Sequence, residues 1–229
     1  MKKFLKWLDN YWYHYKWHTI ITVFFVTVAV ICTFQMVTKD SYDVYAMYSG
    51  GQYFTADRQH ALEEAFTFVI DDYNSDGEKL VCLKKIVVLS EEELKEKKAE
   101  AKAEDDSLAY SVENRTAAIE QLGMEIMTGQ SYLCFLSEGM YDQVKDKGRF
   151  IALADVFETV PEGAVDDYAI RLSETEFGKY FKDATTVMGE DTVVCLRNIT
   201  VQDASSERKT EEYNYHIDFF KKLVEFKVK

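Results

Sequence analysis

TIITVFFVTVAVICTFQMV, residues 19–37, runs nineteen positions without a charged side chain. As a helix rising about 1.5 Å per residue it measures roughly 28 Å, close to the hydrocarbon thickness of a bilayer. Its reading decides the fold, because it divides the chain into three parts. These are a segment over 1–18, a transmembrane helix over 19–38 and a globular domain over 39–229.

Upstream stand Lys2, Lys3, Lys6 and Lys16 against a single acid, Asp9, and acidic residues begin soon after the span. This lysine bias puts the N-terminus in the cytoplasm and the domain outside the cell membrane, as a single-pass protein. Phe4, Leu5, Trp7, Leu8, Tyr11, Trp12 and Tyr15 recur at helical spacing, with Trp17 beside them. Such rings suit the headgroup level, so residues 1–18 read as a cytoplasmic or interfacial amphipathic segment. His14 and His18 read as polar members of that aromatic belt. A cleaved signal peptide would carry an apolar core of only about 7–15 residues and small residues at its end. Here the core is longer and ends in CTFQMVTKD, and Cys32 follows the bulky Val30 and Ile31. The span therefore reads as an uncleaved anchor.

Residues 1–38 carry +3, so the −13 of the whole chain leaves −16 for 39–229. Such a domain repels nucleic acid and anionic headgroups, which excludes nucleic-acid binding. Cys82, Cys134 and Cys195 each lie in an apolar run and no C-x-x-C occurs, which suggests reduced core cysteines.

Within the domain, YDVYAMY (42–48) reads as a strand closed by Ser49-Gly50-Gly51. A helix follows, capped by Thr55 or Asp57, with Ala61, Leu62, Ala65, Phe66 and Val69 on one face. LVCLKKIVVL (80–89) is the next strand. Residues 90–106 are too uniformly charged for an apolar face and read as a solvated helix or excursion. An amphipathic helix over 111–128 leads to strand 132–136, a short helix over 139–147 and a short strand at 151–153. After Pro161 come strand DYAIRL, a helix near ETEFGKYF, strand TVVCLRNI and a last helix over 211–226. Strands alternating with helices predict an α/β fold with a mostly parallel sheet and helices on both faces.

QLGMEIMTGQSYLCFLSEGMYDQVKDKGRFIALADVF, residues 121–157, carries a helix ending in glycine, a short apolar strand, a helix and then KGRFIALADVF. This resembles the corresponding segment of bacterial extracellular solute-binding proteins of the periplasmic-binding type II fold. The opening strand-Gly-Gly-helix resembles the first strand of that fold. Members of that family have two lobes. This chain has room for about one lobe plus extra elements, which makes it a truncated, membrane-tethered relative. The resemblance implies a small-solute site where the loops after the first and third strands meet. The residues at those positions are Ser49, Gly50, Gly51 and Gln52, with Ser137 and Glu138. Glycines there would let backbone N–H groups approach a ligand, while the plainer reading is that they turn the chain.

Asp72-Tyr-Asn74-Ser-Asp76-Gly77 matches the first half of an EF-hand loop and suggests Ca2+ as a cofactor. The bidentate carboxylate that such a loop needs at its twelfth position falls on Leu83. The same letters describe a helix-to-strand turn. No G-x-S-x-G, H-E-x-x-H or P-loop pattern appears. Three functions follow, in order of preference. The first is a non-catalytic extracytoplasmic binding module for a small solute. The second is an accessory or assembly subunit of a membrane protein complex that has lost its ligand. The third is a surface hydrolase.

Overall fold

The structure, a computed structural model, describes residues 2–37, 41–100, 106–145 and 148–228. Two compact units divide at Ser41. The first is one helix, α1 (Lys2–Val37), uninterrupted from the aromatic segment through the apolar run. Neither glycine nor proline occurs in it, so nothing breaks the hydrogen-bond ladder. By length and composition, Tyr11–Phe34 suffices to cross a membrane. Trp7, Tyr11 and Tyr15 stack one turn apart at 5.7 and 5.4 Å between ring centres, as i,i+4 neighbours do. The side chains of Phe4, Leu5 and Leu8, and residues 38–40 that join the two units, lie outside the described residues.

The second unit is an α/β domain. It runs β1 (Val44–Gly50), α2 (Ala56–Thr67), β2 (Val81–Val87), α3 (Glu91–Glu100), α4 (Asp106–Thr128), β3 (Leu133–Leu136) and α5 (Glu138–Val144). It continues through α6 (Leu153–Val156), β4 (Ala169–Arg171), α7 (Glu176–Tyr180), α8 (Lys182–Thr185), β5 (Val193–Leu196), α9 (Val201–Ala204) and α10 (Glu207–Val224). The sheet order is β2-β1-β3-β5-β4. β1 pairs in parallel with β2 and β3, while β5 runs antiparallel to both β3 and β4. Four strands thus share one direction and β5 opposes them, so the sheet is mixed and mostly parallel.

One reading of the sequence needs correction: residues 151–153 are not a strand. Phe150 bridges to Arg197 and Ile151 N–H bonds Leu196, and the chain then turns into α6. The charged stretch after Ser90 is helical over Glu91–Glu100, and its remainder to residue 105 lies outside the described residues.

Strands buried throughout form the centre, which explains their unbroken apolar runs. Alternate residues feed two clusters. Val44, Ala46, Tyr48, Leu133, Phe135, Val194 and Leu196 join α2 and α10 residues such as Leu62, Phe66, Phe219 and Leu223. Met47, Cys134, Leu136, Val193 and Cys195 join Leu122 and Ile126 of α4 and Met140 and Tyr141 of α5. Phe66 is the hub of the first cluster. It stacks on Phe135 and Phe177 at 5.0 and 5.8 Å and meets Phe219 edge-on. Cys134 and Cys195 are buried free thiols, and Cys82 is half-buried.

Candidate functional site

The four parallel strands end along one edge of the sheet, where Gly50, Leu136 and Arg171 close β1, β3 and β4. The structure brings the two loops named above together. Ser137 N–H donates to the Ser49 carbonyl at 2.9 Å, and a Cβ on Gly50 would stand 3.1 Å from the Ser137 Cβ. Ser49 and Ser137 are both buried, and neither hydroxyl has a hydrogen-bond partner among the described residues.

The space in front of them is occupied by the fold itself. The Tyr48 hydroxyl donates to the Met188 carbonyl at 3.1 Å and accepts from Gln52 N–H at 3.2 Å. Burial pushes its pKa up, so it stays a neutral phenol. It stands where a side chain on Gly50 would go, 2.5 Å from that position. Gly51 is closed off by Glu93, whose carboxylate oxygen would lie 2.6 Å from an added Cβ. Glu93 is fixed in turn by Ser90. Ser90 N–H donates to Glu93 Oε2 at 2.7 Å, and Glu93 N–H donates to Ser90 Oγ at 3.2 Å. This is a capping box at the start of α3. Ser90 also packs on Gly139, within 2.7 Å of where a Cβ would sit. Glu138 turns away and accepts from Arg171 Nη2 at 3.0 Å, while its N–H points to Asp191 Oδ2 at 3.3 Å.

Tyr48, Ser90, Glu93, Arg171 and Asp191 were missed in the sequence. Only the S-x-x-E spacing of Ser90 and Glu93 offered a signal.

Farther along the same edge, beyond β4, a cleft of about 320 Å³ is lined by Ser173, Gly178, Lys179, Lys182, Thr186 and Glu190 among others. Lys179 is paired with Glu176 at 2.9 Å. The cleft reaches Gly189, where an added Cβ would be 3.7 Å from Gln52 Cγ.

The Asp72–Gly77 turn uses its side chains on its own backbone. Asp72 accepts from Asp76 and Gly77 N–H, Asn74 accepts from Asp76 N–H, and Asp76 accepts from Glu78 N–H. Leu83 is buried in β2. Among the described residues, no group of three or more His, Cys, Asp or Glu side chains is placed to hold a metal ion. Behind the turn, the buried Asp43 carboxylate accepts from Tyr73, Asn74 and Leu80 N–H.

His216, Glu125 and Tyr141 have displaced pKa values and are held in hydrogen bonds within the fold. Burial lowers that of His216 to about 4. The neutral ring accepts from Tyr45 N–H at 2.9 Å and bonds the Glu212 carbonyl at 2.6 Å. Burial raises the Glu125 carboxyl, but Lys84 and Ser131 outweigh it and leave the pKa below the ordinary value. Burial and Asp166, which accepts its hydroxyl, push Tyr141 up.

Comparison with family models, curated proteins and solved structures finds no match to this chain.

Proposed function

We propose that the chain is a single-pass membrane protein with a cytoplasmic N-terminus. Its extracytoplasmic domain is a non-catalytic accessory or assembly subunit of a membrane protein complex. In this reading the fold is one solute-binding-like lobe plus extra elements, with helices on both sheet faces, that no longer holds a ligand. The observation that carries it is the filled junction of the loops after β1 and β3. Where the loops after β1 and β3 meet, Tyr48, Ser90 and Glu93 stand in the space a solute would need. The lysine bias ahead of the span supports the orientation. That His216 and Glu125 are spent on structural hydrogen bonds supports a role other than catalysis.

The test is a thermal-shift screen of the purified chain in mild detergent. The panel is sugars, amino acids, peptides, nucleosides, and calcium with a chelator control. We expect a flat response. A ligand at 100 times its Kd would add about 2.7 kcal/mol, a plainly visible shift. Such a shift would overturn the reading.

The cleft beyond β4 favours one alternative, a small-solute binding module using Lys182 and Ser173. A solute whose thermal shift is lost in Lys182→Ala would establish it.

A further inference from the structure

Cys134 and Cys195 are direct partners across the antiparallel ladder of β3 and β5. Farther along the same ladder, Arg197 N–H donates to the Tyr132 carbonyl at 2.8 Å. Hydrogen-bonded pairs recur at every second residue of such a ladder, so Cys134 and Cys195 form one as well. The Cα atoms of such a pair stand about 5.5 Å apart, and a disulfide prefers about 5.5–6 Å. Both side chains lie on one sheet face, in the cluster shared with α4 and α5. Cys195 Sγ donates to the Cys134 carbonyl at 3.7 Å. Burial, and then a hydrogen bond with the Cys134 thiol, push the Cys195 thiol up, so the folded protein keeps it as S–H.

A cysteine used only as a small hydrophobe does not need a second cysteine opposite it. These two face each other in a row that Met47 of β1 and Ala169 of β4 complete on either side. Directly opposed Cβ atoms stand about 5 Å apart and a disulfide prefers about 3.8 Å, so closure draws β3 and β5 together. A flexible methionine and a small alanine are the flanking residues that oppose this movement least.

We propose that Cys134 and Cys195 close into a disulfide that staples β3 to β5 as the domain folds outside the membrane. This rests on the extracytoplasmic placement proposed above, because disulfides form and persist in oxidising compartments. The oxidant is a small-molecule disulfide or the disulfide of an exported oxidoreductase. One cysteine attacks it as the thiolate and expels one thiol, and the second attacks the mixed disulfide and expels the other. Two cysteine thiols and one disulfide thus become one new disulfide and two thiols. Both sulfurs are buried in the folded domain. Exchange therefore precedes the packing of β5, and the finished fold shields the bond from reductants. The two cysteines are 61 positions apart, so the bond restricts the unfolded chain and raises Tm.

The test maps the thiols of the full chain in the cells that make it. Cells are quenched in acid, free thiols are capped with a maleimide under denaturing conditions, and peptides are read by mass. We expect one peptide pair joined through Cys134 and Cys195 and lacking two hydrogens, with Cys32 and Cys82 capped. Dithiothreitol should open the bond slowly in the native protein and rapidly in urea, and the opened form should melt at a lower temperature. Placement is read separately, by labelling Val201→Cys in intact cells with a membrane-impermeant maleimide, since Val201 is 92 % exposed. If Val201→Cys is labelled and all four native thiols are capped, or Cys82 is joined instead, the disulfide is overturned and the placement stands. If Val201→Cys is shielded, the placement is overturned, and refolding the purified chain with oxidised glutathione decides the disulfide. Closure between Cys134 and Cys195 there would support it, and four capped thiols would overturn it too.

Discussion

His216 shows how one residue ties the fold to pH. It joins α10 to β1 as a neutral acceptor for Tyr45 N–H, and burial holds its pKa near 4, below the ordinary 6.5. Between those values the unfolded chain binds a proton that the folded chain refuses. The stability present above pH 6.5 is therefore lost as pH falls toward 4, by about 3 kcal/mol for a shift of this size. Denaturant titrations at several pH values should show a steeper acid loss in the wild type than in His216→Phe. Equal slopes would remove His216 as the cause. Asp43 holds the fold in a different way, as a shared acceptor. Asp43→Ala would remove the buried carboxylate that accepts from Tyr73, Asn74 and Leu80 N–H and should cost about 2–4 kcal/mol, read from the urea midpoint. At this scale the sequence was legible in part. Ser49, Gly50 and Ser137 were visible as turn residues, and the topology does bring them together. What fills the space before them was not visible, because Tyr48 bonds a carbonyl 140 positions away. Asp43 likewise reaches a turn some 30 residues on, and no local pattern announces either contact.

Among elements, β2 is the instructive one. It is an edge strand, and an unpaired edge invites pairing with another chain. α2 covers it. Leu83 N–H donates to Glu63 Oε1 at 3.1 Å, and the Leu83 carbonyl accepts from Gln59 Nε2 at 2.9 Å. A carboxylate and a carboxamide thus stand where a neighbouring strand's backbone would bond. The double variant Gln59→Ala/Glu63→Ala should lose about 1–2 kcal/mol and scatter more light than the wild type when warmed. Unchanged scattering would show that the edge needs no such cover. All five strands and the long helices were readable from periodicity, since such patterns are local, whereas the four-residue helices α6, α8 and α9 were not. The reversed direction of β5 was not. A short, fully buried strand reads the same both ways, and its direction is set by the path of α7 and α8 and by Gly189 turning the chain with φ of 101°. The false strand at 151–153 failed for want of length. Three apolar residues pack equally well at the entrance to α6.

At the scale of the molecule, the apolar N-terminal helix was the most legible feature, because a length sufficient to cross a bilayer is written directly as a run of apolar residues. The function was the least legible. The resemblance to solute-binding proteins pointed to a loop junction beside which Tyr48 and Glu93 stand, and an interaction surface shows its meaning only against a partner. A filled junction between the loops after β1 and β3 and an apolar N-terminal helix are consistent with one account, in which the domain is held at the membrane to bind another protein. The most direct measurement is the native mass of the full chain extracted in mild detergent from the cells that produce it. The account predicts one discrete species heavier than the chain and its detergent, containing a second membrane protein and surviving repurification. Recovery of the chain alone would contradict it.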